Sequence, residues 1–325
     1  MKKKVIVSLI LILSLFFIPN VESADKIVIK YAFTANPGSP HEAGGLFFKK
    51  RAEDLTGGKV EVQLYMGTLG SKLETLEGLR MATIEMTSVS APDLNRYSIQ
   101  WSMFSLPYLF GDREHMWRAL KQSGARKILE EDAEKFGFKL IGFWGMGVRS
   151  VINSKRIVTK PDDLKGLKIR VMQDPILAES MNAMGAIGVP MGWTEVYSAL
   201  QQKVLDGIEQ STPLIVDSKA YEICKYYSLT EHFRMPDAEL FSLKTFNSLP
   251  EDIQTAIIKA GVEAEAEYDK IWDKYETKCT EEIKKAGVKF NEVDKEIFRK
   301  SVQPIYEKFG PKIGMDLINK VRSVK

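Results

Sequence analysis

The chain has 325 residues, 44% hydrophobic and 27% charged, with 46 Lys and Arg against 43 Asp and Glu for a formal charge of +3. That near-balance leaves no electrostatic footprint for nucleic acid, and two cysteines, Cys224 and Cys279, are too few for a disulfide framework and lack metal-ligand spacing. They are expected as two small buried thiols.

Residues 1–23 read as a secretory signal: Lys2, Lys3 and Lys4 lead into the apolar run Val5 to Ile18, and Val21-Glu22-Ser23 offers small residues for cleavage. Removing them leaves 302 residues and a formal charge of +1, enough chain for two lobes with separate cores. No later apolar run approaches the roughly 18 residues of a membrane span. No cysteine near the cleavage site is placed to take a lipid. A free protein in a Gram-negative periplasm is therefore expected, reaching any membrane partner by docking.

Ile27 to Phe33 alternates and predicts a strand, followed by the turn Asn36-Pro37-Gly38 and a helix opened by Ser39, with Pro40 at its first position and Glu42 completing a capping box. Lys59 to Tyr65 and Ile84 to Ser90 supply further strands, separated by a helix over Leu73 to Ala82. A helix around His115 to Glu134 leads to a strand at Phe138 to Trp144.

After Gly145 and Gly147 the α/β pattern restarts, with strands at Val148 to Asn153 and Leu167 to Met172 and a helix capped by Asp174-Pro175 and stopped at Gly185. Helices are predicted from Thr194 to Leu205 and from Thr212-Pro213 to about Tyr227. Leu240 to Phe246 reads as a strand returning to the first lobe. From Pro250 to Ala286 the apolar positions hold helical spacing behind a capping box of Ser248 and Glu251. At about 1.5 Å per residue this helix is roughly 54 Å long and spans both lobes; the alternative is two helices broken near Gly261. The expected fold is α/β and two-lobed. Residues 24–147 plus about 234–258 form lobe I, 148–233 plus about 259–290 form lobe II, and 291–325 form a C-terminal helical segment.

The histidines His41, His115 and His232 are far apart, and no zinc-protease, CxxC, nucleophile-elbow or phosphate-loop pattern occurs. Gly145-Met146-Gly147 starts like a dinucleotide fingerprint, but Ser150 stands where the third glycine belongs. His41 reads as a solvated or capping residue. No cofactor or metal is expected. The residue that stands out is Arg170, at the end of a strand whose Leu167, Ile169 and Val171 are apolar. A guanidinium there carries a desolvation cost that a carboxylate offsets, which suggests capture of a small organic anion. The alternative is a structural ion pair with Asp162 or Asp163.

The stretches NSKRIVTKPDDLKGLKIRV, GVPMGWTEVYSALQQKVLDGIEQ and YEICKYYSLTEH resemble the DctP-type substrate-binding proteins of TRAP (tripartite ATP-independent periplasmic) transporters, over about residues 27 to 310. The resemblance implies a two-lobed periplasmic binding protein that closes on an organic anion and delivers it to a sodium-gradient-driven TRAP permease in the membrane. By the same resemblance the carboxylate-clamping arginine is Arg170, a supporting arginine is Arg149, and the aromatic after Pro190-Met191 is Trp193. Gln210 and Gln173 stand where Asn is usual. Thr34, Ser71 and Ser90 match ligand-facing positions of the first lobe.

Trp193 offers a flat face to a carbon skeleton. The two glutamines and three hydroxyl-bearing residues suit hydroxyl or keto groups. A hydroxylated acid such as a uronate or aldonate is therefore preferred over a C4-dicarboxylate or another keto or hydroxy acid. The rival from another class is a secreted sugar-acid lyase or hydrolase using Glu195 or Glu209 as base. Glu195 is more simply read as favourable with its helix dipole, so a receptor and not an enzyme is expected.

Overall fold

Strand β1, Ile27–Phe33, lies in a parallel pair with β2, Val60–Met66, and beside β3, Met86–Ser90. The computed structural model describes residues 26–325; the expected signal, residues 1–23, lies outside the described residues. The remaining strands are β4 (Phe138–Trp144), β5 (Arg149–Asn153), β6 (Lys168–Val171), β7 (Ile187–Pro190), β8 (Gly207–Gln210), β9 (Tyr226–Phe233), β10 (Asp237–Ser242) and β11 (Lys289–Glu292). They form a five-stranded sheet in the order β2-β1-β3-β10-β4 and a six-stranded sheet in the order β11-β9-β5-β8-β6-β7. Each sheet with its helices makes one lobe. The chain crosses between lobes after Trp144, after Phe233 and along one long helix.

That helix, Glu251–Lys285, is continuous for 35 residues. Its Ile253, Ile257, Ala260, Ala264, Tyr268 and Trp272 pack with Ile29, Tyr31 and Phe33 of the first lobe, whereas Ile283 packs with Ile152, Ile208 and Tyr227 of the second. Gly261 does not break it. A Cβ there would sit 2.3 Å from Ile141 Cγ2, so the glycine marks close contact with β4. The expected capping box of Ser248 and Glu251 is absent: Pro250 is the N-cap, and Ser248 Oγ donates to Thr245 O at 2.7 Å, closing the preceding short helix.

Other boundaries shift for local reasons. Ser39 caps the helix Pro40–Leu55 as expected, but the Glu42 carboxylate accepts from Gly38 N at 2.6 Å. The helix expected over 115–134 is two, Arg113–Gln122 and Ala125–Lys135, divided at Gly124 with φ +79°. The helix expected over 194–205 is a 3-10 turn at Trp193–Glu195 followed by Val196–Gln201. The one expected from Thr212 ends at Asp217, and after a short turn at Ala220–Ile223 the chain becomes β9, pairing with β5 and β11. Tyr226 to Phe233 is rich in aromatic and β-branched residues, and its place between two strands outweighs the local helical spacing. The strand expected from Leu240 starts at Asp237, and its last residues belong to the helix Leu243–Ser248. It does return to the first lobe, running antiparallel between β3 and β4. Cys224 and Cys279 are free and buried.

Candidate functional site: a cleft between the lobes

In open α/β sheets ligands gather outside the carboxyl ends of strands. Here the ends of β1, β3, β6 and β8 and the turn after β7 converge on a cleft of about 400 Å³. All eight residues singled out from the sequence line it: Thr34, Ser71 and Ser90 from the first lobe, Arg149, Arg170, Gln173, Trp193 and Gln210 from the second.

Arg170 alternates on β6 with Ile169 and Val171, which enter the core, so its side chain faces the cleft. Its Nε and Nη2 both donate to Met191 O, at 2.9 and 2.7 Å, and its guanidinium lies 5.3 Å from the Trp193 ring centroid. Among the described residues no carboxylate comes within 4.0 Å of it. Asp162 pairs with Lys165 at 2.7 Å, and Asp163 accepts from Thr159 and Lys160, so neither serves Arg170. Burial, with the neighbouring Arg149 charge, pushes the Arg170 pKa down to about 10. The site thus holds a buried cation with no ion-pair partner of its own among the described residues.

Arg149 differs. Its Nε and Nη2 donate to the two Glu209 carboxylate oxygens at 2.6 and 2.5 Å, a bidentate pair buried on both sides. Burial alone would raise the Glu209 pKa, but the Arg149 charge and hydrogen bonds outweigh it and hold it at about 2. Behind the pair, Thr230 Oγ1 accepts from Val151 N at 3.2 Å and is hydrogen-bonded with His232 Nδ1 at 2.8 Å. His232 Nε2 lies 3.7 Å from Glu209 Oε2, and burial lowers the His232 pKa.

Trp193 gives its indole N–H to Asp217 Oδ2 at 3.2 Å. Gln210 Oε1 accepts from Ser211 N at 3.0 Å, and its Nε2 makes no hydrogen bond among the described residues. Ser71 caps the helix Lys72–Met81 in a full capping box with Glu74. Ser90 is more deeply engaged: its hydroxyl donates to Asp237 Oδ1 at 2.8 Å and accepts from Lys72 Nζ at 3.1 Å. Gln173 and Thr34 have no side-chain hydrogen bond among the described residues.

Several cleft residues escaped the reading from sequence. His41, expected at the surface, is buried and bonds through Nε2 to Asp237 Oδ2 at 2.9 Å. Lys72 reaches Asp93 at 2.9 Å, and Asp93, Glu195, Asp217 and Asp237 bring four carboxylates to the lining. Burial would raise the Asp237 pKa, but the His41 bond and the Lys72 charge hold it below the usual carboxylate range. The available signal was Asp237 and Glu239 at alternate positions of an otherwise apolar run, two acids on one face of a strand.

No helix among the described residues is long and apolar enough to cross a membrane. The chain is 27% identical to a TRAP periplasmic solute-binding protein of Roseobacter denitrificans with bound β-D-glucuronate, at a TM-score of 0.87 over 92% of this chain and 100% of that one. It is 28% identical to one of Sulfitobacter sp. NAS-14.1 with bound β-D-galacturonate, at a TM-score of 0.86 over 91% and 99%. It is also 29% identical to the C4-dicarboxylate-binding periplasmic protein DctP of Rhodobacter capsulatus, covering 92% of this chain and 91% of that protein. The profile of bacterial extracellular solute-binding protein family 7, DctP, matches residues 31–312, and the chain belongs to this family of TRAP periplasmic solute-binding proteins.

Proposed function

We propose that the protein captures a sugar acid, a uronate or aldonate, by its carboxylate and delivers it to a TRAP permease. The observation that carries this reading is Arg170, buried, steered by Met191 O and Trp193, and without an acid of its own. A guest carboxylate supplies the missing charge in a planar, bidentate geometry. The rest of the lining suits hydroxyl groups: the carboxylates of Asp93, Glu195 and Asp237 accept from them, and the free amide of Gln210 donates. A second guest carboxylate would face those acids. Arg96, the residue that most favours a C4-dicarboxylate, lies exposed at the rim and donates to Asp93 O at 3.2 Å. Relatives holding glucuronate and galacturonate agree with the preference.

A receptor reading is also favoured over a lyase or hydrolase. Glu209, one candidate base, is locked to Arg149 as a carboxylate and is a poor proton acceptor at neutral pH. Glu195, the other candidate, is exposed at the N-cap of its helix, where its charge suits the helix dipole. The protein's work is then conformational, a guest shifting an open state toward a closed one.

Calorimetry on refolded, ligand-stripped protein tests this with D-glucuronate, D-galacturonate, D-gluconate, succinate and malate. The sugar acids are expected to bind more tightly than the dicarboxylates and to be recovered unaltered. Arg170→Ala is expected to cost about 3–5 kcal/mol of affinity, the scale of breaking a buried charge pair. Succinate or malate outcompeting every sugar acid overturns the ligand class. Unchanged affinity in Arg170→Ala removes the clamp.

A further inference from the structure

One contact crosses the cleft from a residue outside the lining to one within it. Asn36 follows β1 in the first lobe and is exposed; its Nδ2 donates to Asp217 Oδ1 at 2.9 Å. Asp217 ends the helix Thr212–Asp217 in the second lobe, and its other oxygen takes the Trp193 indole N–H. Trp193 in turn carries the Arg170 guanidinium on its face. A single carboxylate therefore joins the first lobe to the aromatic that backs the proposed clamp.

Its position separates this contact from the polar bonds that Asp174 makes between the lobes. Asp174 takes Asn95 Nδ2 at 3.0 Å and Ser105 Oγ at 2.5 Å from the first lobe, but Asp174 and Ser105 are buried, on a face covered by the C-terminal helices. The Asn36–Asp217 bond lies at the solvent-exposed rim. Beside it Leu214, from the same short helix, lines the cleft and packs against the first-lobe cluster of Tyr31, Phe33 and Met146. When the lobes separate, rim contacts part first and buried contacts on the opposite side act as the pivot.

We infer that Asp217 is a positioning residue that couples lobe closure to the clamp: closure brings Asn36 onto Asp217, and the engaged carboxylate holds the Trp193 indole against Arg170. A contact made only in the closed state adds to that state's stability, so it slows release of the guest more than it speeds capture. Asn36 is not itself part of the cleft lining and meets it only through Asp217, so an effect of its removal on binding is transmitted by that carboxylate. The inference rests on the organic-acid reading of the cleft, and the test separates the two.

The test uses spin labels at Leu46→Cys and Ile187→Cys, exposed positions in opposite lobes, since Cys224 and Cys279 are buried. D-glucuronate is the probe. Asn36→Ala is expected to release D-glucuronate about three- to tenfold faster at nearly unchanged association rate, with a smaller short-distance population. Asp217→Ala is expected to exceed it, because the indole is freed as well. The double variant is expected to match Asp217→Ala alone, since the Asn36 amide has then already lost its acceptor. Wild-type release and distances in Asn36→Ala overturn the inference, and strictly additive effects in the double variant overturn the shared carboxylate. If the parent protein binds none of D-glucuronate, D-galacturonate and D-gluconate, the sugar-acid reading fails. The distance distributions without D-glucuronate then still judge the latch, which requires a lower short-distance fraction in Asn36→Ala.

Discussion

Two arginines share the cleft, and the difference between them is one carboxylate. Arg149 has Glu209, and Arg170 has only a backbone carbonyl and an aromatic face. The guanidinium of Arg170 at the end of an apolar strand was legible because period 2 is a local property. The Glu209 partnership was not, because it depends on strand pairing between residues 60 positions apart. A pH profile of stability exposes the buried acids with opposite signs. The folded Glu209 pKa, about 2 against an ordinary 4.5, means that its contribution is present above 4.5 and is lost as pH falls toward 2. Glu239 behaves in reverse: burial raises its pKa well above 4.5, against the hydrogen bonds it accepts from Tyr31 and Ser88. Between pH 4.5 and that raised value the unfolded chain gives up its proton before the folded one, so stability falls as pH rises. Glu239→Gln, of nearly the same shape, is expected to leave stability at pH 4 unchanged and to raise it at pH 8, read by urea unfolding at both values. Equal pH slopes in the variant and the parent show that Glu239 is ionised in the fold.

Helical spacing identified the long helix but not how it is held. Over Glu251–Lys285 the apolar stripe is repeated often enough to override one interior glycine, whose local cost is about 1 kcal/mol. Short elements were less legible. β7, β8 and β11 have four residues each, too few to show a period, and β9 shared its Tyr227 with a plausible helical face. Gly261→Ala separates propensity from packing. Propensity alone favours alanine by about 1 kcal/mol. The added methyl, however, would meet Ile141 Cγ2 at 2.3 Å and Ile141 O at 2.8 Å, and backbone cannot rotate away. Overpacking of this kind typically costs about 1–3 kcal/mol, so packing wins and a lower midpoint is expected in thermal unfolding. A raised midpoint shows that the helix and β4 can move apart at no cost.

Both lobes share a layer of side chains from the C-terminal helices. Phe298, Val302, Ile305 and Phe309 lie in one apolar cluster with Trp101 and Phe104 of the first lobe and Ile176 and Leu177 of the second. The helix Gln303–Ile313 also makes polar contacts to each side: Tyr306 Oη donates to Pro107 O at 2.8 Å, and Lys308 pairs with Glu179 at 2.5 Å. The sequence showed helices here but not their placement, because apolar spacing says which face is buried and not against what. If closure is rotation about this packed side, contacts on it persist in open and closed states alike. They then add to global stability and cancel from the binding equilibrium, since a contact with equal energy in both states shifts nothing. Contacts at the rim do the opposite. Tyr306→Phe keeps the ring and removes the bond to a carbonyl in the partly buried interface, so it is expected to cost about 1 kcal/mol in urea unfolding while changing D-glucuronate affinity less than about twofold. A variant that stays folded yet binds D-glucuronate tenfold more weakly would place Tyr306 on the moving side of the hinge, and the pivot would have to be sought at the Trp144 and Phe233 crossings instead.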